Sequence, residues 1–159
     1  MKRRELMLGA LAIPWAAVPT AALAHHGWSS FDQERPIYLE GKVLAVRWAN
    51  PHAELDIEVP VNFKLPADLT QRDVPAQTAP VDGRALLARA SLPTRKDRRW
   101  EIELAPLTRM EAWKVPQIKV GETVSLLGFT LTGEKGEAVL RVEYLYLAGR
   151  AYALRSSPA

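Results

Sequence analysis

The chain has 159 residues, with 21 Lys and Arg, 18 Asp and Glu, three histidines and no cysteine. The missing cysteine excludes disulfides, thiolate metal sites and cysteine nucleophiles. Lys2, Arg3, Arg4 and Glu5 belong to the first segment, so the rest of the chain keeps 18 basic against 17 acidic side chains, with no electrostatic footprint for nucleic acid.

That first segment has a basic head, an apolar stretch and small residues at Ala22 and Ala24. This is the layout of a secretory signal peptide, and the Arg3-Arg4 pair points to twin-arginine export. Cleavage after Ala24 makes residues 1–24 the signal and His25 the mature N-terminus, in the periplasm. About 18 uninterrupted apolar residues are needed to span a bilayer. Pro14 and Pro19 interrupt this stretch, so no stable membrane insertion is expected after cleavage.

Residues 25–150 read as one all-β domain. The first strand, Ile37 to Trp48, begins with Ile37 and Leu39 on one face and ends with Leu44, Val46 and Trp48 on the other, with the switch beside Gly41. Asn50-Pro51 makes a turn. The second strand, His52 to Val59, alternates Ala53, Leu55, Ile57 and Val59 inward with His52, Glu54, Asp56 and Glu58 outward. Five prolines punctuate residues 60–98, which read as a long loop or insertion with one short helix over Gly83 to Ala90. Its basic end, Arg95 to Arg99, reads as a solvated loop.

Trp100 to Leu104 forms a third strand. Pro106 opens a short helix in which Leu107, Met110 and Trp113 recur at helical spacing, so Met110 is core rather than ligand. Two further strands follow, Glu122 to Leu131 and Ala138 to Leu147, around a Gly133–Gly136 turn. Leu140, Val142, Tyr144 and Tyr146 are expected on one face, and residues 151–159 as a frayed tail. Three strands, a short helix and a hairpin is the order of a five-stranded OB-like Greek-key barrel, the fold expected here, with a β-sandwich of one further strand as its competitor.

The histidines are His25, His26 and His52. At a new N-terminus the α-amine and the His25 imidazole form one chelate, which His52 completes as a histidine brace; His26 is a further ligand. Nitrogen-only ligation favours Cu(II), with Zn(II) the rival. Glu54 and Asp32 are candidates to orient an imidazole through its second nitrogen. The competing reading is a solvated His-His terminus and a turn histidine satisfied by its neighbours.

Ala24-His25-His26-Gly27, Phe31-Asp32, Gly41-Lys42-Val43, Trp48-Ala49-Asn50-Pro51-His52, Gly121-Glu122-Thr123-Val124 and Gly128 resemble a family of small exported bacterial proteins. The family is catalogued as a domain of unknown function, number 6152. The resemblance covers most of the mature chain outside residues 60–98. It implies an exported OB-like domain with His-His at the mature start and Asn-Pro-His after the first strand, and it supplies no activity.

The functional expectation is a periplasmic copper-binding protein for storage, delivery or tolerance, with another periplasmic copper protein as a candidate partner. Two alternatives stand beside it: a metal-free OB-type ligand-binding module, and a copper oxidase or zinc hydrolase on the same histidines. No Gly-x-Ser-x-Gly element supports a nucleophilic triad.

Overall fold

A computed structural model describes residues 27–159. The signal segment, His25 and His26 lie outside the described residues. The strands are β1 (Ile37–Arg47), β2 (Glu54–Glu58), β3 (Arg99–Glu103), β4 (Thr123–Thr130), β5 (Val139–Leu147) and β6 (Arg150–Ala153), with helices α1 (Gly83–Arg89) and α2 (Leu107–Ala112). Antiparallel pairing runs β3-β2-β1-β4-β5-β6, and a parallel pairing of β3 with β5 closes the first five strands into a barrel. This is the expected OB-like barrel with one strand added. No helix among the described residues is long and apolar enough to cross a membrane.

The barrel interior takes one face of each strand. Leu55 and Ile57 of β2, Trp100 and Ile102 of β3, and Val124 and Leu126 of β4 are all buried in one apolar cluster. α2 plugs one end of it: Met110 is buried in that cluster, while Leu107 and Trp113 pack against it. Met110 is therefore core, as its spacing indicated.

β1 changes face by a different route from the one expected. The bulge lies between Val43 and Ala45, leaving Leu44 exposed, while Val46 and Trp48 pack against the core. Gly41 has another role. A Cβ there would sit 2.7 Å from the Glu58 carbonyl oxygen, so its lack of a side chain lets β1 and β2 approach closely.

A second bulge corrects the expectation for β5. Leu127 pairs with Tyr144 and Gly128 with Val142, so Glu143 is the extra residue. Leu140 and Val142 face the interior before it, and Leu145 and Leu147 after it, whereas Tyr144 joins a separate outer cluster. A side chain at Gly128 would collide with the Arg141 carbonyl oxygen, which is why the pairing strand carries glycine here.

The outer cluster explains residues 60–98. Leu69, Leu86 and Leu87 from this segment cover Tyr38, Leu127, Phe129 and Tyr144 on the outside of the barrel. Asp82 caps the start of α1, its carboxylate accepting from the Ala85 amide at 3.0 Å. The segment is thus a second layer, held by apolar contact between its short elements and the sheet.

The chain end is also ordered, not frayed. β5 turns into β6 through Ala148 and Gly149, both at positive φ as a two-residue hairpin turn requires. Leu154 is buried and its amide donates to the Glu143 carbonyl at 2.8 Å. Farther on, the Thr78 amide donates to Ser157 and the Ala159 amide to Ala76, tying the end of the chain to the insertion.

Candidate functional site

His52 stands two residues before Glu54, the start of β2; between them the Ala53 amide donates to Ala105 and the Leu104 amide donates back to Ala53, both at 2.9 Å. These bonds prolong the β2–β3 ladder and fix the histidine at one end of the barrel. Its Nε2 lies 3.2 Å from Nη2 of Arg141. A guanidinium only donates, so Nε2 accepts, and the hydrogen of the neutral ring belongs on Nδ1.

Arg141 is itself buried and donates through Nη1 to Oε2 of Glu103 at 2.6 Å. The two residues are register partners on the parallel strands β3 and β5, so the strand pairing that closes the barrel also assembles the ion pair. Its Nε is buried without a hydrogen-bond partner among the described residues. Nearby, Arg109 donates to the Leu154 carbonyl at 3.0 Å; burial, and then the Arg141 charge, hold its pKa below the ordinary arginine value.

The indole of Trp28 joins this pair to a second one. The guanidinium carbon of Arg141 is 5.0 Å from its ring centroid, and that of Arg155 is 4.0 Å away. Arg155 donates to Glu143 Oε2 and to Gln33 Oε1, each at 2.7 Å. Glu143 is fully buried and also accepts from Gln77 Nε2 at 2.8 Å. Gln33 in turn donates to the Trp28 carbonyl at 3.2 Å. Two buried carboxylates and two guanidinium groups thus form one network whose charges balance.

The proposed orienting acids are engaged elsewhere. Glu54 receives a two-point contact from Arg47, one bond being 2.8 Å. Asp32 Oδ1 accepts from the Glu34 amide at 3.2 Å. The rest of the outward acidic row is also paired, Asp56 with Arg99 and Glu58 with Arg98. The acid linked to His52 is instead Glu103, through Arg141. Among the described residues, no group of three His, Cys, Asp or Glu side chains is placed to hold a metal ion.

Sequence reading missed Trp28, Glu103, Arg141, Glu143 and Arg155. A signal was present: Arg141 and Glu143 interrupt an otherwise apolar strand, and Glu103 stands between Ile102 and Leu104. Charges inside apolar runs are rarely buried unless paired. Their partners come from distant parts of the chain and could not be read locally.

Comparison with known proteins found no curated protein and no solved structure that matches the chain. One family model matches residues 14–64. That span contains His25, His26 and His52 and stops before Gly121 and Gly128. Over residues 14–64, the chain resembles the family of unknown function DUF6152.

Proposed function

We propose that the chain acts after export as a periplasmic metal-binding protein that takes Cu(II) through the His25 amine and imidazole, His52 and His26. The observation that supports this is the place of Trp28. Its ring lies over Arg141, and Arg141 contacts His52, so the start of the described chain is moored beside that histidine. His26 and His25 are two and three residues before Trp28, a backbone reach of about 7–10 Å from it. An all-nitrogen donor set suits Cu(II) at the top of the Irving–Williams order, ahead of Zn(II). Storage, delivery or tolerance fits a site with no further reactive group assigned to it.

Arg141 sets the terms of binding. In the arrangement described, its Nη2 occupies the Nε2 lone pair that a metal would use. A metal held at Nε2 would have to displace that contact, while Glu103 would still hold the guanidinium. The same contact favours the second reading, a metal-free OB-type module in which His52 is a structural anchor.

The test is Cu(II) titration of protein beginning at His25, with affinity and the electron paramagnetic resonance spectrum as readouts. One extra residue before His25 moves the amine off the metal and lowers affinity at least tenfold, about 1.4 kcal/mol. His52→Ala lowers it similarly and changes the spectrum, and His26→Ala has the smaller effect. If His52→Ala leaves affinity and spectrum untouched, the copper sits on the His25-His26 end alone and the brace is wrong; absence of binding by any metal would favour the metal-free module.

A further inference from the structure

A cavity of about 420 Å³ opens between residues 71–73 of the insertion and the β5–β6 turn. Its lining includes Arg72, Ser125, Tyr146, Leu147 and Arg150. The guanidinium carbon of Arg72 is 5.3 Å from the Tyr38 ring centroid and 5.2 Å from that of Tyr146. Both rings are tethered: Tyr146 donates to the Asp73 carbonyl at 3.2 Å, and Tyr38 donates to Glu40 Oε2 at 3.4 Å. The two aromatic contacts hold the guanidinium in the cavity lining. Among the described residues, the Arg72 side chain has no hydrogen-bond or ion-pair partner beyond these ring contacts.

A guanidinium held by aromatic contacts and without an acidic partner is a fork for two parallel N–H bonds to an oxyanion. Arg150, an exposed residue of the cavity lining 5.5 Å from the Tyr152 ring centroid, adds a second positive charge with no carboxylate partner among the described residues. Asp73 in the lining offsets part of this charge. So does Glu40, which accepts from Ser125 Oγ at 2.8 Å just behind the wall. Two guanidinium groups against these two carboxylates leave no net positive charge to attract a polyanion, so recognition rests on the guanidinium N–H groups. Leu147 and the Tyr146 ring supply apolar surface for an uncharged body, and the volume lies in the range of small-ligand sites.

We propose that this cavity binds a small organic monocarboxylate, with its carboxylate held by the Arg72 fork and Arg150. The site shares no residue with the proposed metal ligands, so the two proposals stand or fall separately.

The experiment is titration of the protein with benzoate in the presence of a chelator, followed by amide chemical shifts, with inorganic phosphate as the comparison anion. Benzoate is expected to give saturable shifts at Ser125, Tyr146 and Gly149 and to bind more tightly than phosphate. Arg72→Lys keeps the charge but not the fork, and should weaken benzoate at least tenfold. Absence of benzoate shifts, tighter binding of phosphate, or unchanged affinity in Arg72→Lys would each overturn the assignment. If Arg72→Lys does not fold, Arg150→Gln replaces it. At least a threefold loss is then expected, and an unchanged affinity overturns the proposal.

Discussion

The same barrel carries two sets of arginine–carboxylate pairs in opposite surroundings. Glu103–Arg141 and Glu143–Arg155 lie at the His52 end, where the first pair is 7% exposed on both side chains and Glu143 is not exposed at all. Arg98–Glu58 and Arg99–Asp56 lie on the outer face of β2 and β3, where the arginines are more than half exposed. Contact geometry alone would rank the sets as equals, since Glu103–Arg141 measures 2.6 Å and Arg98–Glu58 measures 2.7 Å. Desolvation separates them. A buried charge that loses its partner has no water to replace it, whereas an exposed one regains its hydration shell. The difference teaches that the first set specifies how the chain start, β3, β5 and the chain end come together. The second serves mainly to keep an acidic strand face neutral.

The largest expected effect comes from breaking the buried set. Glu103→Leu leaves Arg141 charged and buried, and unfolding by urea should show a loss of about 3–5 kcal/mol. A loss below 1 kcal/mol would mean that water reaches Arg141 and that the two sets do not differ. The next effect belongs to Trp28, which joins the two buried pairs. Trp28→Ala removes a half-buried indole and two cation–π contacts, for a cost of about 1–3 kcal/mol. It should also weaken Cu(II) binding in the proposed brace, because the chain start loses its mooring next to His52. Stability lost with copper affinity unchanged would separate the network from metal binding. The smallest effect is expected for Asp56→Asn on the exposed face. Its cost should stay under about 1 kcal/mol and shrink further in high salt.

Local pattern carried much of the barrel. Alternation at Leu55 and Ile57, the three-residue spacing of Leu107, Met110 and Trp113, and the strand–helix–strand order all lead to the observed topology. Alternation failed where a bulge intervened. Tyr144 and Tyr146 continue the period of Leu140 and Val142 in the sequence, but the extra residue at Glu143 puts Leu145 and Leu147 inside instead. Only pairing with Gly128 reveals that shift, because a bulge is a property of two strands and not of one.

For the candidate site the division is similar. Sequence by itself singled out the three histidines, the signal-like segment before them and the all-nitrogen character of the donors, because these depend on residue identity and position along the chain. It also indicated an OB-like barrel, because hydrophobic period and element order are local quantities. Tertiary structure alone decided that Arg141 rests on His52, that Glu103 and Glu143 are buried rather than solvated, and that Trp28 sits over two guanidinium groups. It also decided that residues 60–98 form a packed layer and that residues 150–153 form a sixth strand. Apart from the β5–β6 hairpin, each of these unites residues far apart in the chain. Whether a charge is solvated or paired depends on what the closed barrel brings against it, which no local window contains.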